Sequence, residues 1–143
     1  MPYAYVDDIA MADLALRAWG QTVEEAFIAA AKATMNAMVE DLTTIAPQAQ
    51  RTFELHDERL DLLLLQFLQE LLYYKDAQRL LLRSQAVAIH REGTGFALQA
   101  RAAGEPINPA KHALGADVKG VTLHRLQVIT TPDGWEATVV LDV

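Results

Sequence analysis

Apolar residues recur two apart within residues 6–19, where the run ADLALRAW puts Leu14, Leu16 and Ala18 on one side. That period belongs to a strand with one buried face, and Gly20 ends it. The period then changes: Val23, Ala26, Phe27, Ala30, Ala33, Ala37 and Met38 fall at helical spacing. Thr22 and Glu25 open this run three residues apart, so each side chain can satisfy an orphan amide of the first turn. The helix should fade over residues 40–44, ahead of Pro47.

Phe53 and Leu55 predict a short strand over residues 51–56. Asp57 can cap a second helix, with Glu58 and Asp61 acidic near its positive end, and this helix should run to about Tyr74. The stretch LDLLLLQFLQELLYY is apolar nearly all round, the pattern of a buried central helix. Leu60, Leu64, Phe67 and Leu71 read as its core, with both tyrosines buried beside them. Residues 80–90 read as a strand, REGTG as a turn and residues 96–102 as the returning strand. GEPINPAKHALG, with two prolines and two glycines, reads as a loop. Residues 118–129 predict one long strand and TPDG a type I turn. Residues 135–143 predict a last strand, with Trp135, Ala137, Val139, Leu141 and Val143 on one face and Asp142 on the other. Two helices among about six strands, joined mostly by hairpins, predict an α+β domain over residues 1–143, an antiparallel or mixed sheet with helices packed on it.

Composition narrows the function classes. Over 143 residues, 52% apolar with a net charge of −7, the chain has the makings of one globular core. Its acidic field repels phosphate, which argues against direct nucleic-acid binding. Without cysteine there is no thiol nucleophile, disulfide or zinc-thiolate site, in keeping with a reducing cytoplasm. The start, MPYAYVDD, lacks the basic and apolar regions of a signal peptide. The greasiest stretch is interrupted by Gln66, Gln69 and Glu70 and is too short to cross a bilayer.

Catalytic signatures are missing: there is no GxSxG, phosphate-cradling glycine loop or HExxH. His56, His90, His112 and His124 are scattered, and His124, on a predicted strand beside Thr122, reads as a structural histidine able to be buried. Lys119, inside DVKGVTLH, faces either solvent or an acid across a cleft. The acids are a stronger set. Asp7, Asp8 and Asp13 crowd the first strand and Asp142 lies near the end of the sequence, where the Val143 carboxylate is one more oxygen donor. Hard divalent cations take several such oxygens. Spacing leaves two readings open: solvated strand-end acids, or a cation site if the first and last strands are neighbours.

Four segments in order resemble the archease family. ADLALRAWGQTVEEAF is similar to its opening, in which a His-Thr-Ala-Asp segment leads into a strand, an aromatic with glycine and a helix start. LLLLQFLQELLYYKD resembles its central helix. NPAKHALGADVKGVTLHRLQV resembles its Pro-x-x-His and Glu-Val-Lys-Ala-Val-Thr segments, and DGWEATVVLDV its closing strand with penultimate Asp. The resemblance implies a fold built around a strand-helix-strand-strand module and a protein without turnover of its own. Such a protein helps an RtcB-type RNA ligase of tRNA splicing or RNA repair to load guanylate. It also implies a divalent cation, calcium or magnesium, held by Asp13 and Asp142, with Lys119, Thr122 and His124 at matching positions. The chain departs from the family where Asp-His-Thr-Ala-Asp is replaced by Ile9, Ala10, Met11, Ala12 and Asp13. The family's first acid is then either lost or, the favoured alternative, supplied by Asp8 one place upstream.

Overall fold

The computed structural model describes residues 2–6 and 13–143. Along the chain run β1 (Tyr3–Val6), β2 (Asp13–Gly20), α1 (Val23–Met38), β3 (Ala49–Asp57), α2 (Leu60–Gln78), β4 (Leu80–Glu92), β5 (Gly95–Pro106), β6 (Gly120–Val121), β7 (Gln127–Thr131) and β8 (Gly134–Asp142). A 3-10 turn, Leu42–Thr44, follows α1. The strands form two antiparallel sheets. One is five-stranded, ordered β1-β2-β8-β6 with β7 also on β8; the other is three-stranded, ordered β3-β5-β4. The strand-helix-strand-strand module is β3-α2-β4-β5.

Both helices are wedged between the sheets. α1 packs on β2 and β8 from one sheet and on β4 from the other, while α2 packs on β3 and β4 and also reaches β6. That is why two sheets replace the single one expected: both helices carry buried residues on more than one side and need cover from more than one side. α1 meets this with small residues, Ala26, Ala29, Ala30, Ala31 and Ala33, all buried, which let the layers approach closely. α2 meets it with leucines, and its Phe67 stacks on Phe27 of α1 at 6.2 Å between ring centres. The capping box forms as expected: the Glu25 amide donates to Thr22 Oγ1 at 3.1 Å and the Thr22 amide to Glu25 Oε2 at 3.2 Å.

Several expectations shift. Val6 belongs to a separate strand, antiparallel to β2, so residues 6–19 are not one strand; residues 7–12 lie outside those described. Asp57 does not cap α2. The cap position is Arg59, and Asp57 instead accepts the Arg59 amide at 3.0 Å while still in β3. Tyr73 is 57% exposed, while Tyr74 turns inward onto Phe53. The predicted loop starts late, because Gly104, Glu105 and Pro106 still pair with β4. Residues 118–129 are not one strand. Val121 pairs with Leu141 and Gln127 with Thr138, six steps of chain against three along β8, so the surplus must loop out. The turn is held by Thr122, whose Oγ1 donates to the Val140 carbonyl and accepts the His124 amide, a side-chain competitor of the ladder. His124 is therefore exposed rather than buried.

At the β7–β8 hairpin Gly134 has φ 151°, and a Cβ there would collide with the Gly20 carbonyl. The 107–119 connection closes the end of α1. Gly115 and Ala116 donate to the Met38 and Ala37 carbonyls at 2.8 and 2.9 Å, satisfying acceptors that a helix end leaves open.

Candidate cation site at the end of the five-stranded sheet

β2 and β8 pair over eight positions, from Asp13 opposite Asp142 to Gly20 opposite Trp135. The inward set is Leu14, Leu16 and Ala18, opposite Leu141, Val139 and Ala137, all packed on the core. Alternation sends the other set outward, and the outermost outward pair is Asp13 with Asp142. The sheet thus brings together the two acids expected to meet. Directly opposite residues have Cβ atoms about 5 Å apart, and like charges there repel. Asp142 is exposed, Asp13 half-buried, and among the described residues neither side chain receives a hydrogen bond.

Gly120 pairs with Asp142 on its other side, and space where its Cβ would stand is open. The Lys119 amide donates to the Asp142 carbonyl at 2.7 Å, while the Lys119 side chain is exposed. Val143 is half-buried and its side chain packs on the core. Asp8 lies outside the described residues, and no three of the described His, Asp and Glu residues converge into a metal-holding group. The donors on hand are oxygens alone, which suits calcium or magnesium rather than a soft metal. His124, in the 122–126 turn, makes no side-chain contact with the acid pair among the described hydrogen bonds.

A second carboxylate site escaped the sequence reading. Glu105 is 5% exposed and accepts from the Ala46 amide at 2.7 Å, from Lys111 Nζ at 2.7 Å and from His112 Nε2 at 3.0 Å. The Ala46 amide, then Lys111 and His112, hold its carboxyl down to about 2. His112 is 1% exposed, and its Nδ1 accepts the Asn108 amide at 3.0 Å. The neutral ring therefore carries its proton on Nε2 and donates to Glu105. The Pro-x-x-His segment is thereby a structural clamp. Its signal in the sequence was an acid seven residues before a histidine, inside a stretch whose prolines concealed a strand end.

No helix among the described residues is long and apolar enough to cross a membrane. The Archease protein family (MTH1598/TM1083) model matches residues 3–143. The chain is 38% identical over 133 residues to protein archease of Thermococcus kodakarensis, covering 92% of this chain and 93% of that one. It is 32% identical over 142 residues to that of Methanosarcina mazei, covering 99% and 95%. The solution structure of Methanobacterium thermoautotrophicum protein 1598 superposes with a TM-score of 0.85 at 28% identity, covering 99% of each chain. A Thermotoga maritima crystal structure, described as an archease and possible chaperone, superposes at 0.62 with 19% identity over 92% of this chain and 91% of that one, a likeness of fold. With the α+β architecture, the strand-helix-strand-strand module and a family match spanning nearly every residue, the chain belongs to the archease family.

Proposed function

We propose that this archease is an accessory protein of an RtcB-type RNA ligase, promoting guanylylation and repeated turnover of that ligase in tRNA splicing or RNA repair. The observation that carries the reading is the Asp13–Asp142 register pair. Two facing carboxylates supply oxygens for a calcium or magnesium ion, with Asp8 and the carboxylate of Val143 as further donors. Bound there, the cation neutralises the repulsion between the acids and screens the chain's −7 charge where it approaches a nucleotide-handling partner. In this reading the exposed Lys119 side chain, on the strap bonded to Asp142, meets the partner or a phosphate oxygen. In this reading the protein performs no chemistry itself, works in the cytoplasm and touches RNA only through the ligase.

The test is a ligase guanylylation and multiple-turnover joining assay with GTP, with and without this protein. Wild type should raise turnover, and Asp13→Ala or Asp142→Ala should remove the stimulation while leaving the far-ultraviolet dichroism unchanged. Full stimulation by both variants would sink the reading.

A second reading is favoured by the rewritten segment before Asp13, which lacks the family's His and Thr, and by the description of the Thermotoga relative as a possible chaperone. It makes this chain a protein-binding, chaperone-like module with a degenerate cation site. No stimulation, and no complex with the ligase on a sizing column, favours it.

A further inference from the structure

Lys75 is the one lysine among the described residues that is buried, 7% exposed, near the C-terminal end of α2. A buried ammonium is costly unless every donor is used. Two of its donors go to Asp117 Oδ1 and the Val118 carbonyl, both at 2.9 Å, and the Asp76 carboxylate adds an ion pair at 3.0 Å. The two aspartates are exposed and line an open cavity of about 360 Å³ beneath the 114–117 segment, so they have room to move. The Val118 carbonyl has none, because Val118 is itself fully buried.

One residue further on, the Lys119 amide donates to the Asp142 carbonyl, and Gly120 then pairs with Asp142. The strap 117–120 is therefore gripped from inside by Lys75 and delivers its next two residues to Asp142. β8 ends at Asp142, where a strand would fray without a neighbour. On one side its neighbour is Asp13, a like charge; on the other it is this strap.

Resting on the reading of Asp13 and Asp142 as a cation site, we propose that Lys75 is a positioning residue for it. Through the Val118 carbonyl, Lys75 fixes the strap that holds the backbone of Asp142. A purely structural lysine would add stability without bearing on the cation. A positioning lysine bears on both.

The experiment titrates the full chain with Ca²⁺ alone by calorimetry, with Mg²⁺ as comparison, and follows hydrogen exchange of the Lys119 amide. Lys75→Met should bind Ca²⁺ about tenfold more weakly, the scale of lost support behind a metal ligand. It should also exchange the Lys119 amide faster at temperatures where the fold is intact. Lys75→Arg, which keeps a buried charge with several donors, should restore most of both. If Lys75→Met fails to fold, Asp117→Asn replaces it. That exposed substitution weakens only one grip and should lower affinity by about threefold. Unchanged affinity and exchange in the variant, with only a lower melting temperature, overturns the positioning role. Wild type that takes up neither ion removes the cation reading and the proposal with it, an outcome distinct from failure of the variant.

Discussion

Two carboxylate sites sit on this molecule under opposite conditions. Glu105 is buried, accepts from a backbone amide, an ammonium and an imidazole, and titrates far below the usual range. Asp13 and Asp142 face each other across a sheet with no hydrogen-bond donor to either side chain among the described residues. A buried carboxylate surrounded by donors holds structure together. Facing carboxylates that find no donor among the described residues repel unless something positive arrives. The contrast matches the first site to stability and the second to the cation binding proposed above.

The comparison breaks first if the Glu105 site can be dismantled cheaply. His112→Ala leaves a cavity where a fully buried ring stood and removes both the donor to Glu105 and the acceptor of the Asn108 amide. It should destabilise by about 3 kcal/mol, lowering the melting temperature by on the order of 10 °C, read by calorimetry. A loss under about 1 kcal/mol would mean that the clamp carries little.

The pH response sharpens it next. The Glu105 carboxyl is depressed from 4.5 to about 2 in the folded chain, so the unfolded chain takes up its proton at higher pH than the folded one. The contribution of this group is fully present above pH 4.5, drains as pH falls, and is gone below about 2. Glu105→Gln should be less stable at pH 7, with a flatter stability profile across that window, measured by denaturant titration at stepped pH.

The two sites were not equally legible in the sequence. Asp13 and Asp142 lie on strands with clean alternation, so their faces follow from a period of two. Only the pairing of β2 with β8 had to come from the fold. The Glu105 clamp depends on partners at Ala46, Lys111 and His112, and no local period links a helix-exit turn to a strand end and a loop. The central helix and the capping box were legible because they obey local rules. The 118–129 break was not, because it arises from two segments sharing one edge of β8. The same holds for Lys75: as a lysine late in an apolar helix it looks like solvated charge, and its burial is set by a strap more than forty residues away.

The smallest expected effect is the most discriminating, because its sign is opposite to that of the Glu105 site. Asp142→Asn removes one of two facing charges and keeps the side chain's shape at an exposed position. In chelator, with no divalent ion present, relief of repulsion should raise stability by about 0.5 kcal/mol, a melting shift of roughly 1–3 °C upward. The gain should shrink as monovalent salt is raised, since exposed charges are screened over about 10 Å at 0.1 M. Adding Ca²⁺ should reverse the ranking: wild type gains about 2.7 kcal/mol at a hundredfold excess over its dissociation constant, while Asp142→Asn gains little. A variant less stable than wild type in chelator would show that Asp142 already has a partner within the fold, and the opposition between the two sites would collapse into two structural acids.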